Sequence, residues 1–291
     1  MNAGSTICRL ARAKINLDLL ITGQRDDGYH LLDSLVVFAE YGDRVSVSPS
    51  ERLALKISGP FADGLETETD NLVMRAARLL QETYTIEQGA EIHLVKNLPV
   101  ASGIGGGSAD AAAAMKALGD LWGISDMVQN MKESSLSLGT DLPVCLLSET
   151  AHMRGIGEDL SPVNISFPLH LLLVNAGVSV STAGIFAART QRNAPFSPVR
   201  RLPEEISSLS QLIAILRAGG NDLRQDACQA RPEIETTLRQ VGSMDDCAFA
   251  GMSGSGATCF GIFPTLESAR SSARRLAWDF PGWWVAAASV R

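Results

Sequence analysis

The run Gly103-Ile104-Gly105-Gly106-Gly107-Ser108 decides how the rest of the chain is read. It lies between an alternating apolar stretch ending near Val95 and an alanine-rich stretch from Ala109 to about Trp122. Four glycines in five positions leave the backbone nearly bare, so its N–H groups can converge on a ligand. Good helix formers follow at once, which places the loop at a helix N-terminus. Free N–H groups and the positive end of the helix dipole favour an anion there, typically phosphate. A flexible glycine turn would read the same locally, so the companions of the loop have to decide.

Two familiar phosphate motifs fail on chemistry. A Walker A loop needs Gly-x-x-x-x-Gly-Lys-Ser/Thr, with the lysine on the outer phosphates and the hydroxyl on magnesium. Here Ser108-Ala109-Asp110 follows the glycines and no lysine does. A Rossmann turn needs Gly-x-Gly-x-x-Gly tight against its strand. Here the sixth position is Ser108, and residues 96–102 intervene after the strand.

At 291 residues the chain has room for about two domains. Its 45% hydrophobic and 20% charged residues are an ordinary globular balance. The 25 basic and 32 acidic residues leave a net charge of -7, which argues against nucleic acid held on a broad basic surface. The cysteines, Cys8, Cys145, Cys228, Cys247 and Cys259, show no C-x-x-C pair, so neither a zinc site nor a disulfide framework is expected. Met1 to Leu10 lacks a signal-peptide core and no apolar run reaches membrane-spanning length. The expectation is a soluble cytoplasmic protein, with no membrane and no nucleic-acid partner; protein partners cannot be read.

In chain order, Ala13, Ile15, Leu17, Leu19 and Ile21 alternate with Lys14, Asn16 and Asp18, the pattern of a strand with Lys14 and Asn16 on its polar, solvated face. A polar loop, Gly23 to His30, ends in Tyr29 and His30, which either pack at the loop's base or offer a stacking surface to a planar ligand. Leu35–Phe38 and Arg44–Ser48 read as strands joined by a Tyr41-Gly42-Asp43 turn. Leu53–Ile57 reads as a strand, residues 59–70 as a loop, and Asp70-Asn71 as the cap of a helix from Leu72. Glu91–Val95 is a strand. Beyond the glycines, Ala111, Met115, Leu118 and Trp122 form a buried helical stripe, and a second helix covers about residues 125–138.

Asp141 sits in Gly139-Thr140-Asp141-Leu142-Pro143, where an aspartate is often only a cap or turn former. Gly155-x-Gly157-Glu158 suggests a hairpin, and a boundary falls near residues 162–168. The second half reads as a buried strand at 169–175, an element opening at 180–186, a loop at 193–203, and Asn221-Asp222-Leu223 between helices. A helix at 232–241, a Gly/Ser loop at 251–257, a strand at 258–263, a helix at 266–278 and a strand at 284–290 complete it.

The combined pattern Pro99-x-x-x-Gly103-x-Gly105-Gly106-Gly107-Ser108-x-Asp110-Ala111-Ala112 resembles the phosphate loop of the galactokinase, homoserine kinase, mevalonate kinase and phosphomevalonate kinase superfamily. Ala13-Lys14-Ile15-Asn16-Leu17 and Gly23-x-Arg25-x-Asp27-Gly28-Tyr29-His30 are similar to the N-terminal motif of its members that act on 4-diphosphocytidyl-2-C-methyl-D-erythritol. Gly139 to Pro143 resembles those kinases' Gly-Ala-Asp-Val-Pro block, and Gly251 to Ala257 the superfamily's third glycine motif.

The resemblance implies an α+β, two-domain small-molecule kinase fold, here expected as 1–165 (nucleotide-binding) and 166–291, with the active site in the interdomain cleft. It implies ATP and Mg2+ as cofactors, the cytidine diphosphate-linked methylerythritol as substrate, and phosphorylation of its 2-hydroxyl in the non-mevalonate isoprenoid route. Carried over by position, Asp141 and Lys14 are catalytic. Pro99, Gly103, Ile104, Gly105, Gly106, Gly107 and Ser108 hold the ATP phosphates, and Asn71 and Lys96 line its adenine and ribose. Asn16, Tyr29, His30, Thr182 and Phe186 face the substrate. The magnesium ligand is not identifiable beyond Ser108. Three positions depart from the pattern: Arg12 for Pro, Asp110 for Asn and Thr140 for Ala. Asp110 puts a carboxylate beside a phosphate site, unfavourable unless it caps the helix or faces magnesium. A homoserine- or mevalonate-type kinase and a non-catalytic nucleotide-binding regulator are the alternatives. The Tyr29-His30 pair speaks against the first and retention of Lys14 with Asp141 against the second.

Overall fold

Strands β1 (Ile7–Asn16), β2 (Leu20–Gln24), β3 (His30–Ser50) and β4 (Ala54–Ser58) open the computed structural model, which describes residues 6–65 and 71–290. They are followed by α1 (Leu72–Tyr84), β5 (Gly89–Val95), α2 (Gly106–Trp122), α3 (Met127–Ser135) and α4 (Leu142–Leu147). The chain continues through β6 (Ala151–Gly155), β7 (Asp159–Pro162), β8 (Asn164–Ile165), β9 (His170–Asn175), α5 (Thr182–Gln191) and β10 (Glu205–Ile206). It closes with α6 (Leu209–Gly219), α7 (Arg224–Ala230), α8 (Glu233–Gly242), β11 (Phe249–Met252), β12 (Cys259–Phe263), α9 (Leu266–Asp279) and β13 (Trp284–Ser289).

The contacts divide the chain into two units, and the division does not follow chain order. One unit comprises Met1–Ala13, Tyr41–Val100 and Gly105–Ser148; the other comprises Lys14–Glu40, Ala101–Ile104 and Glu149–Arg291. The expected cut after residue 165 is sequential, whereas residues 14–40 group with the later chain. Strand pairing is the reason: residues 32–36 of β3 run antiparallel to β6, and β6 to β7, giving the hairpin expected at Gly155 to Glu158.

In the first unit β4 pairs parallel to β5, and β5 antiparallel to residues 44–50 of β3. Helix α1 starts where Asn71 Oδ1 accepts the Val73 amide at 2.9 Å, the expected cap. The neighbouring Asp70 and the end of the expected loop lie outside the described residues. Helix α2 is buried at every position from Ala109 to Met115, so its alanines let α1 and α4 approach closely. Ala111, Met115 and Leu118 are core, but Trp122 at the helix end is only half-buried. The helix expected over 125–138 is shorter, spanning α3.

In the second unit β11, β12, β9 and β13 form an antiparallel sheet in that order. Leu172 and Val174 of β9 pack with Val241, Phe263, Ala269 and Leu276, which seats α8 and α9 against the sheet.

The turn expected at Tyr41-Gly42-Asp43 does not exist, because β3 continues through it for 21 residues. Gly42 is there for clearance: a Cβ would collide with the Ala11 carbonyl of β1 and lie 3.0 Å from Arg12 Cα. Asp43 is fully buried and its carboxylate accepts the Asn97 and Leu98 amides, so it holds the chain leaving β5. Glycine beside aspartate reads as a turn in sequence; here each serves a close packing contact. We predict that Gly42→Ala lowers unfolding free energy by about 1–3 kcal/mol, the usual range for overpacking. Chemical denaturation measures this, and an unchanged midpoint would refute the clearance role.

Candidate active site

The glycine run has a defined shape. Gly103 and Gly105 take left-handed backbone angles, φ 76° and 62°, which side-chain-bearing residues rarely adopt. Gly105 is the N-cap of α2 and contributes no side-chain hydrogen bond, so the first-turn amides are capped by no side chain at that position. A 17-residue helix therefore begins on a bare, partly exposed glycine turn, as an anion site requires.

Within the second unit, three separated motifs meet at Gly103. The Lys14 amide donates to the Ile104 carbonyl at 3.0 Å. Ser253 Oγ donates to the Gly103 carbonyl at 2.8 Å and accepts the Asn16 amide at 3.1 Å. A Cβ on Gly103 would lie 2.5 Å from the Ser253 and Gly256 carbonyl oxygens. The chain on either side is tied as well, the Thr258 amide to the Ser102 carbonyl at 3.0 Å. Asn221 holds the Gly/Ser loop from the other side, donating to the Met252 and Gly254 carbonyls at 2.8 and 2.9 Å. That loop is shorter than expected, since Gly251 and Met252 belong to β11.

Lys14 and Asn16 were expected on a solvated strand face. Both are buried, at 4% and 1% exposure, and their strand ends at Asn16. The Asn16 amide nitrogen donates to Ser34 Oγ at 2.8 Å, and Ser34 Oγ to the Asp18 carbonyl at 2.6 Å. In the same unit the His30 and Phe186 rings are tilted at 35°, with centroids 4.9 Å apart. Thr190 Oγ1 lies 3.3 Å from His30 Nε2, Tyr29 is 53% exposed, and Thr182 Oγ1 meets Ser255 Oγ at 2.9 Å. Burial, then the charge of Arg189, holds the His30 imidazole below its ordinary pKa.

Sequence reading missed the charged network beneath these residues. The Arg200 guanidinium donates to both Asp18 oxygens, at 2.5 and 2.7 Å, and to Asp33 Oδ1 at 2.8 Å. His152 Nε2 lies 2.9 Å from the same Asp33 oxygen. Arg200 comes from the expected proline-rich loop, whose basic residues were the available signal. Burial pushes the Asp18 carboxyl up despite Arg200, whereas His152 and Arg200 outweigh burial at Asp33 and hold it down.

The first unit holds the other expected residues. Asp141 occupies the N-cap position of α4, and its side chain makes no cap hydrogen bond. Lys96, expected at the adenine and ribose, is buried with its ammonium held by Asp43 and Asp110. Asp110 Oδ2 accepts from Lys96 at 2.6 Å, and α2 has no side-chain cap hydrogen bond. Among the described residues no group of three His, Cys, Asp or Glu side chains could hold a metal. No disulfide joins the described cysteines, and no described helix is long and apolar enough to cross a membrane.

A bare glycine turn opening a helix, a lysine-bearing strand bonded to it and a second glycine loop beneath it are features of a GHMP-type small-molecule kinase. Family models agree: that for the GHMP kinases N terminal domain matches residues 71–149, and that for the GHMP kinases C terminal domain matches residues 207–279. The 4-diphosphocytidyl-2-C-methyl-D-erythritol kinase of Ruegeria pomeroyi is 50% identical over 284 residues, covering 95% of this chain and 96% of its own. That of Parvibaculum lavamentivorans is 47% identical over 282 residues, covering 96% of each. The chain belongs to the 4-diphosphocytidyl-2-C-methyl-D-erythritol kinase family. A crystal structure of 4-(cytidine 5'-diphospho)-2C-methyl-D-erythritol kinase superposes with a TM-score of 0.77 at 30% identity, covering 98% of this chain and 99% of its own. A mevalonate kinase structure shares the fold alone, at 14% identity and a TM-score of 0.65, with 98% and 97% covered.

Arg200 gives a stability prediction. In Arg200→Ala two buried carboxylates lose their shared cation, and about 3–5 kcal/mol of stability should go at neutral pH. The depressed Asp33 carboxyl contributes stability above its unfolded pKa of about 3.9, and loses it as pH falls through the lower folded value. The variant's deficit should therefore narrow in acid. Denaturant titrations at neutral and acid pH measure both; a deficit that is constant with pH would show that charge pairing is not its source.

Proposed function

We propose that this chain transfers the γ-phosphoryl group of ATP to the 2-hydroxyl of 4-diphosphocytidyl-2-C-methyl-D-erythritol, a step of non-mevalonate isoprenoid biosynthesis. The observation that carries the reading is the junction of Lys14, Asn16, Gly103 and Ser253, in which three motifs of such a kinase are bonded to one another.

The 2-hydroxyl is tertiary and a poor nucleophile. Asp141 accepts its proton as the oxygen attacks the γ-phosphorus; the bond to the β–γ bridging oxygen breaks and ADP leaves. Lys14 offsets charge on the transferring group. Amides of the Gly103–Ser108 turn, preceded by Pro99, cradle the phosphates together with the α2 dipole. Asn71, its Oδ1 engaged in capping α1, presents its amide nitrogen on the adenine side. On the substrate side, His30 and Phe186 give the cytosine ring an aromatic surface, Tyr29 closes over it, and Asn16 and Thr182 offer polar contacts. Magnesium would be held chiefly by the nucleotide's own phosphates, with the Ser108 hydroxyl as the available protein donor, and supplies charge neutralisation there.

An ATP-dependent phosphorylation assay on a panel of this cytidylyl substrate, homoserine and mevalonate tests the assignment. Turnover of the first alone is expected, and its absence would sink the reading. Asp141→Asn should lower kcat by at least about 100-fold with nucleotide affinity retained. Tyr29→Ala should raise KM for the cytidylyl substrate; a raised KM for ATP instead would reverse the two pockets.

A further inference from the structure

Asn16 stands where β1 ends, and its side chain is an amide with a donor on one arm and an acceptor on the other. Which arm is left for a ligand decides what this residue can recognise. The hydrogen bonds of Ser34 settle it. Ser34 Oγ lies 2.6 Å from the Asp18 carbonyl and 2.8 Å from Asn16 Nδ2, and all three residues are buried. A carbonyl oxygen only accepts, so the one hydroxyl hydrogen of Ser34 goes to Asp18. Ser34 Oγ can then only accept from Asn16, which keeps the amide nitrogen against it. Turning the amide over would set two oxygens against each other, or take the hydrogen from Asp18 and leave a buried carbonyl unpaired.

The backbone around this hydroxyl is tied down on both sides. Ser34 lies on β3 between Asp33 and Leu35, opposite Met153 of β6. The Leu35 amide donates to Asp18 Oδ1 at 2.8 Å, and the Leu35 carbonyl accepts the Leu17 amide at 2.9 Å. Arg200 bonds Asp18 and Asp33 together. The free arm of Asn16 faces the Gly/Ser loop. A Cβ built on Gly254 would lie 3.4 Å from Asn16 Oδ1, so glycine keeps that oxygen clear. Thr182 reaches the same loop, its Oγ1 2.9 Å from Ser255 Oγ.

We propose that Ser34 is a positioning residue for the substrate: by holding the Asn16 nitrogen, it leaves the Asn16 oxygen, a hydrogen-bond acceptor, as the arm that meets the ligand. The group read there is a hydroxyl or amino hydrogen of the cytidylyl substrate rather than a phosphate oxygen. The inference rests on Asn16 facing that substrate. Ser34 itself touches no ligand in this scheme. Its effect passes through Asn16, which separates it from a residue that merely fills the core.

A double-mutant cycle on the full chain tests this, read as kcat/KM for the cytidylyl substrate with KM for ATP measured alongside. Ser34→Ala should lower kcat/KM by about 10-fold with KM for ATP unchanged, and Ser34→Thr, which keeps the hydroxyl, should stay within about twofold of the wild type. In an Asn16→Ala background, Ser34→Ala should cost nothing further. Losses that multiply in the double variant would overturn the role of Ser34 while leaving the kinase reading intact. A folded wild type that does not phosphorylate the cytidylyl substrate would overturn both. If Ser34→Ala does not fold, hydrogen exchange of the Asn16 side-chain amide in the wild type, followed by NMR, decides. An Nδ2 hydrogen protected far beyond a free amide supports the placement, and exchange of both hydrogens at the free-amide rate overturns it.

Discussion

A buried backbone carbonyl has to be paired, and a residue squeezed between other main chains can carry no side chain. Gly103 meets both conditions. Its carbonyl is taken by Ser253, its α-carbon has no room for a Cβ, and the next carbonyl receives the Lys14 amide. Three segments far apart in sequence are registered by these contacts. The strand with Lys14 and Asn16, the start of the glycine turn and the Gly/Ser loop are bonded to one another. Catalysis that relies on positioning, as phosphoryl transfer does, favours such rigidity.

Each unit also sets a cation between two buried carboxylates, and the difference between the cations matters. Arg200 offers a planar fork and satisfies Asp18 twice and Asp33 once, with His152 against the same Asp33 oxygen. Lys96 is a compact point charge and leaves Asp110 Oδ1 bare. The arginine network is closed and structural, fixing the loop that carries Arg200 to Asp18 and Asp33. The lysine cluster is left one hydrogen bond short, at the foot of the glycine turn. Such a deficit is costly in a core.

Local patterns were readable where local physics decides them. The Asn71 cap, the alanine-rich helix after the glycines, the hairpin at Gly155 and the closing helix and strand stand where propensity and periodicity put them. The misreadings share one cause. Tyr41-Gly42-Asp43, the polar face of Lys14 and Asn16, and Asp110 all carry residues that prefer turns or water. Each is overruled by a partner distant in sequence: the Ala11 carbonyl, Ser253 and Ser34, and Lys96.

Taken by itself, the sequence determined the family and the glycine turn at the start of a helix, because glycine conformation and a helix N-terminus are local properties. Tertiary structure alone decided that Lys14 and Asn16 are buried rather than solvated, that residues 14–40 group with the later half of the chain, and that Lys96 belongs to Asp43 and Asp110. Those outcomes depend on which distant backbone approaches and which buried charge lacks a partner. Strand pairing and desolvation settle both, and neither is written in any short stretch of chain.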